Sequence, residues 1–155
     1  MFQRFFLFVV FLFVLSCSTQ SKEIEVVYEI KKINDWNFDV SLSILNSTNV
    51  DFDSVWSLHW NQQSSIVNNK SIPENIKYEY VAGQSYNILS FGKDYYLNSN
   101  DSISIDFNQS GVVKRISDLP VGGFIVLDNE TIDVKFIYNW KNAEGIEKLD
   151  APSSE

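Results

Sequence analysis

Eight consecutive residues set the terms for the whole chain: Val55-Trp56-Ser57-Leu58-His59-Trp60-Asn61-Gln62. Side chains on an extended backbone alternate between two faces. Trp56, Leu58 and Trp60 therefore fall on one side, and Val55, Ser57, His59 and Asn61 on the other. A strand that commits two indoles to one face demands a second layer over them, because burying each large apolar side chain stabilises by about 1.5–3 kcal/mol. The rest of the chain must supply that layer.

It does so as strand after strand. Ile24 to Ile33 is β-rich, with Val26, Tyr28 and Ile30 on one side; after Asn34-Asp35, residues Trp36, Phe38, Val40, Leu42 and Ile44 alternate with Asn37, Asp39, Ser41 and Ser43, the signature of a half-buried strand. Asn46-Ser47-Thr48-Asn49 turns the chain toward Trp56. Ile76, Tyr78 and Tyr80 alternate with Lys77 and Glu79, and Ala82-Gly83-Gln84 turns into the run Tyr86 to Phe91. Ile103, Ile105 and Phe107 follow Asn98-Ser99-Asn100-Asp101, and Phe124 to Leu127 is bounded by Gly122-Gly123 and Asp128-Asn129. Ile132, Val134, Phe136, Tyr138 and Trp140 close the series. No segment carries a 3.6-residue period. The pattern predicts an all-β, immunoglobulin-like antiparallel β-sandwich of about seven or eight strands over residues 24–142, followed by a polar C-terminal tail over 143–155.

Charge excludes one class of partner. Twelve Lys and Arg stand against twenty Asp and Glu, and no basic stripe interleaved with aromatics is present, so nucleic acid is not expected as a ligand. His59 is the only histidine and Cys17 the only cysteine; with neither a second imidazole nor a thiolate beside it, a zinc site is not expected. Asp51, Asp53 and Asp94 lack the dense spacing of a calcium loop. No metal and no cofactor are expected.

The N-terminus reads as an export signal. Arg4 precedes eleven apolar residues, Phe5 to Leu15, too few for a bilayer span of about 20 residues and suited to the core of a signal peptide. Val14-Leu15-Ser16-Cys17 resembles the lipobox of bacterial lipoproteins. That resemblance implies a signal peptide over residues 1–16, lipidation at Cys17 and a lipidated tether over 17–23. A single cysteine cannot form an intramolecular disulfide, which removes the usual reason for a cysteine in an exported domain. The expected location is a bacterial membrane surface, the outer membrane in particular, with the lipid as the attachment.

Two motifs in order carry a further resemblance. Asn46 followed by Trp56-Ser57-Leu58-His59-Trp60-Asn61-Gln62, and later Ser117-Asp118-Leu119-Pro120-Val121-Gly122-Gly123-Phe124-Ile125-Val126-Leu127-Asp128-Asn129, resemble the N-terminal domain of bacterial chitobiases and β-N-acetylhexosaminidases of glycoside hydrolase family 20. The match runs from about Val27 to Trp140. It departs from the family at Ala82-Gly83-Gln84, where an Asn-Gly-type turn is usual, and at Gly123 before Phe124, where an aromatic usually follows the first glycine. Asn46, Trp56, Leu58, Asp118, Pro120, Gly122 and Gly123 are the structural positions it implies. Read by themselves, Pro120 fixes its own φ and the two glycines permit a bend or a close backbone approach, while Asp118 suits a turn cap.

The resemblance implies carbohydrate binding or an accessory role, with an N-acetylglucosamine-containing glycan as ligand and a glycosidase as a candidate partner. The family's catalytic barrel takes about 250 residues, and its adjacent Asp-Glu pair does not occur in this sequence, so no catalytic residue and no enzyme activity are expected. Sugar rings stack on exposed aromatic faces beside polar groups. Trp60, near its strand end and followed by Asn61 and Gln62, is the expected contact, and Tyr95-Tyr96 cannot both point inward. Trp56 is expected in the core. Two alternatives stay open: the front end of a longer β-N-acetylhexosaminidase, and an envelope interaction lipoprotein with no glycan ligand.

Overall fold

The computed structural model describes residues 23–83, 85–140 and 143. The expectations for the signal peptide, Cys17 and the polar tail lie outside the described residues. Nine strands form among the described residues: β1 (Ile24–Asn34), β2 (Asn37–Asn46), β3 (Trp56–Asn61), β4 (Ser65–Val67), β5 (Ile76–Val81), β6 (Tyr86–Phe91), β7 (Ser102–Gly111), β8 (Val121–Leu127) and β9 (Glu130–Asn139). Their lateral order is β4-β7-β2-β1-β9-β8-β3-β6-β5.

One strand makes this a folded-over sandwich. The first part of β9 pairs antiparallel with β8, Phe124 opposite Asp133 through Leu127 opposite Glu130; from Val134 to Asn139 it runs parallel to Ile24–Glu29 of β1. It thus links two layers, which close over a shared core. Inward residues of β1 (Val26, Tyr28, Ile30), β2 (Phe38, Val40, Leu42) and β3 (Trp56, Leu58, Trp60) all belong to one buried cluster.

The centre of that cluster is Trp56, 1% exposed. Its ring stacks on Phe91 at 3.9 Å and 10° and lies 5.3 Å from tilted Phe52. Its indole N–H donates to the Tyr95 carbonyl at 2.9 Å, so the buried polar atom is satisfied. Asn46, also buried, knits the loops beneath: its amide nitrogen donates to the carbonyls of Val50 and Leu97 at 2.8 and 3.1 Å, and its side-chain oxygen accepts from the Thr48 hydroxyl at 2.6 Å. Asp128 and Asn129, both at positive φ (49° and 67°), form the two-residue turn between β8 and β9, the backbone geometry that matches the twist of paired strands.

Three details differ from expectation. The strand count is nine rather than seven or eight, because three-residue β4 carries too short a pattern to be read. The β1–β9 pair is parallel within an otherwise antiparallel arrangement. Trp36, placed by alternation with buried Phe38, is 70% exposed: it stands before the first residue of β2, where no facing strand covers it.

Candidate functional site

The outer face of β3 carries the groups its inner face excludes. Ser57, His59 and Asn61 are half-buried there. His59 lies opposite Phe124 of β8 and Ile88 of β6, and its ring stacks on Phe124 at 4.8 Å and 12°. The imidazole is held at both nitrogens, Nδ1 to the Tyr86 hydroxyl at 2.9 Å and Nε2 to the Ser57 hydroxyl at 2.7 Å. Loss of water contact lowers its pKa, so the ring is neutral at neutral pH and offers one donor and one acceptor. Phe124, His59 and Tyr86 form a ring-lined ridge across three strands, with Tyr86 and Phe124 centroids 6.3 Å apart.

The ridge runs into a cleft. Asn61 lies opposite Tyr86 on one side and Val121 on the other, and beyond it opens a cavity of about 530 Å³ lined by Asn61, Gln62, Gln63, Ser85, Ser117, Leu119 and Val121. None of the described lining residues is charged. Carboxamides and hydroxyls alternate with two aliphatic side chains, an arrangement that can exchange hydrogen bonds with a neutral polyhydroxylated ligand.

Gln62 anchors this cleft to the core. Its backbone N–H donates to the Ser85 carbonyl at 2.8 Å. Its side-chain nitrogen donates to the Asp118 carbonyl at 3.1 Å and the Tyr28 hydroxyl at 3.4 Å. Its oxygen accepts from Gln109 Nε2 at 3.1 Å and Trp60 Nε1 at 3.3 Å. Tyr28 in turn donates to Gln109 Oε1, and burial pushes the Tyr28 hydroxyl pKa far up, so it stays protonated.

The far wall is the 117–123 segment. Asp118 Oδ2 accepts from the backbone N–H groups of Lys114 and Arg115, both at 2.9 Å, which closes the turn entering β8. The Pro120 carbonyl accepts from the Tyr138 hydroxyl. Gly122 has φ +59°, and a Cβ on Gly123 would lie 2.4 Å from Phe136 Cε2 and 2.7 Å from Val134 Cγ2. The first glycine is needed for conformation, the second for close approach to β9.

Among the sequence-predicted contacts, the structure brings Asn61 and Gln62 together at the cleft. Trp60 is a correction: it is 0% exposed, because the β3 alternation that buries Trp56 and Leu58 carries it inward as well, and its ring faces are covered. Gln62, 1% exposed, lines the cleft while its side chain is spent on hydrogen bonds to Trp60, Tyr28, Asp118 and Gln109. Tyr95 is half-buried, edge-on to Phe91 at 5.7 Å. Tyr96 is 60% exposed but belongs to the other end of the sandwich, so the pair does not join Asn61. Sequence reading passed over Tyr86, Phe124 and Trp36. The same alternation that put His59 and Asn61 on one face was the available signal for the first two.

No protein-family model and no curated protein sequence matches the chain. Solved structures do. A family 20 exo-β-N-acetylglucosaminidase from Vibrio harveyi, solved in complex with N-acetylglucosamine, superposes with a TM-score of 0.59 at 18% identity, over 86% of this chain and 19% of that one. A chitin-binding domain from Streptomyces coelicolor gives 0.49 at 13% identity, over 86% and 99% of the two chains. A family 3b carbohydrate-binding module from Clostridium thermocellum gives 0.49 at 11% identity, over 73% and 97%. The chain thus spans about a fifth of the length of the Vibrio enzyme, and it shares the fold of that segment.

Proposed function

We propose that this chain is a membrane-tethered, non-catalytic carbohydrate-binding domain whose ligand is a neutral glycan containing N-acetylglucosamine. The observation that carries the reading is the meeting, at the end of β3, of an uncharged hydrogen-bonding cleft with the Phe124–His59–Tyr86 ridge. The shared fold with a segment of an enzyme crystallised with N-acetylglucosamine supports the choice of sugar. The lipobox-like Val14-Leu15-Ser16-Cys17 supports the tether.

The test is retention of the soluble domain, from Ser18 onward, on chitin and on a glycan array. Asn61→Ala removes one cleft amide worth about 0.5–1.5 kcal/mol and should weaken retention roughly 3- to 10-fold. Tyr86→Ala should weaken it further by removing ring surface. Absence of retention at any salt concentration refutes the glycan reading. Trp60→Ala is a poor probe, since it hollows the core. For the tether, Cys17→Ala should release the protein from membranes and abolish fatty-acid labelling; a persistent label refutes lipidation at that residue.

A second reading is favoured by the 19% coverage of the Vibrio enzyme: the domain is the front end of a longer β-N-acetylhexosaminidase, or works beside one as partner. An in-frame or frameshifted barrel immediately downstream in the DNA would establish it.

A further inference from the structure

The two ends of the sandwich differ in what they carry. At one end β1 starts, Ile24 opposite Asn46, and the Asn46 amide reaches the Leu97 and Asn98 carbonyls at 3.1 and 3.3 Å. Trp56, at the start of β3, is bonded to Tyr95 beside them. At the other end is the tip of the β1–β2 hairpin, where the Trp36 carbonyl accepts from Gly111 N at 2.7 Å. Next to it, Val112 N donates to the Ser64 carbonyl at 3.2 Å, and Ser64 follows directly on the cleft residues Gln62 and Gln63. The cleft and exposed Trp36 therefore share the end opposite the start of β1. The eleven residues of β1 span about 35 Å.

We propose that the anchored domain stands with the start of β1 toward its own bilayer and presents the cleft away from it. Its ligand is then a glycan approached from beyond the membrane, not the sugar headgroup of a lipid in the same leaflet. The proposal rests on the lipid-anchor and glycan-binding readings and adds the geometry of presentation.

Length excludes the inverted posture. The six residue steps from Cys17 to Glu23 reach at most about 22 Å when fully extended. With the Trp36 end on the surface, Glu23 would stand about 35 Å above it, by the strand rise, out of reach of its lipid. Charge alone would not choose this posture: Glu23, Asp51, Asp53, Asp101 and Asp128 are exposed at the tether end beside Lys93, so an anionic leaflet repels that end and holds it off the headgroups, and the length of the tether is what sets the orientation.

The experiment uses the full lipidated chain in vesicles of phosphatidylethanolamine and phosphatidylglycerol carrying a rhodamine-headgroup lipid. A donor dye is attached at Asp53→Cys or at Asn34→Cys, both exposed. Energy transfer should be several-fold greater from position 53 than from position 34. Equal or reversed transfer overturns the orientation, whereas loss of vesicle association overturns the anchor and this proposal with it. In a second arm chitin beads should capture the vesicles, undiminished by an N-acetylglucosamine glycolipid in the same leaflet. Competition by that glycolipid overturns the proposal; no capture with the transfer gradient intact overturns the glycan reading and upholds the orientation.

Discussion

Gln62→Leu is the sharpest test of how the cleft is held. Leucine nearly preserves volume while removing all four side-chain hydrogen bonds, and the losses are unequal. The Asp118 carbonyl keeps a second donor, the Ser64 hydroxyl at 3.0 Å, and Tyr28 still donates to Gln109. Trp60 Nε1 and one N–H of Gln109 Nε2 lose their acceptor in an interior where Trp60 and Gln109 are both 0% exposed. Two buried orphans at about 1–3 kcal/mol each amount to about 2–6 kcal/mol. Water entering through the adjoining cleft offsets part of this, leaving an expected loss of about 3 kcal/mol and a midpoint about 10 °C lower. Urea unfolding of the chain from Ser18, followed by tryptophan fluorescence, measures it. Adding Gln109→Leu removes one of the orphans, so the double variant should lose about 1 kcal/mol less than the sum of the singles. A single-variant loss below about 1 kcal/mol, or strict additivity, would refute the network as the element that fixes the cleft.

The other expected outcomes are simpler. Gly123→Ala drives a Cβ into Phe136 and Val134 and should destabilise by about 1–3 kcal/mol through overpacking; thermal unfolding checks it, and a neutral result would mean that β9 yields. Trp36→Ala should leave stability within about 0.5 kcal/mol, whereas Trp56→Ala, in the core stack with Phe91, should cost about 3–5 kcal/mol; equal effects in denaturant melts would contradict the burial contrast. Burial depresses the His59 pKa below its ordinary 6.5, so the unfolded chain binds the extra proton first as pH falls. That contribution is complete above 6.5 and is lost as pH drops through this value toward the folded pKa. An NMR titration of the imidazole should give a value under 6.5, and one at or above it would refute the desolvation argument.

Alternation made the core legible. The period-two runs at Phe38–Ile44 and Trp56–Trp60 state which side faces inward, and every inward residue of both runs is buried, with Ser41 the one outward residue of these runs that is buried too. It failed where a residue obeys the alternation but lies past the cover of the opposite layer, as Trp36 does. Overriding it failed as well: the polar residues after Trp60 suggested a surface position, but Trp60 keeps the inward parity of β3, and Gln62 follows it into the interior because Tyr28 and Gln109 wait there as partners. Those partners lie 34 and 47 positions away in the chain. No local pattern announces them. The ridge was hidden for the same reason, since Phe124, His59 and Tyr86 come from three strands and become neighbours only through β8–β3–β6 pairing.

Two residues at positive φ border the cleft. Ser85, in the turn before β6 with φ +54°, and Gly122, in β8 with φ +59°, flank Asn61. A serine in the left-handed region carries a small conformational penalty that the surrounding structure must offset, and here the Ser85 carbonyl is fixed by Gln62 N at 2.8 Å and by Asn87 Nδ2 at 3.3 Å. On the other wall, Asp118 and Tyr138 lock the turn that presents Ser117, Leu119 and Val121. Both walls are thus set by hydrogen bonds made before any ligand arrives, and Gln62 joins them to the buried Tyr28–Gln109 pair. A site built this way loses little side-chain freedom on binding. Its selectivity should come from matching fixed amide and hydroxyl positions, so that a sugar lacking one hydroxyl leaves a cleft group unpaired.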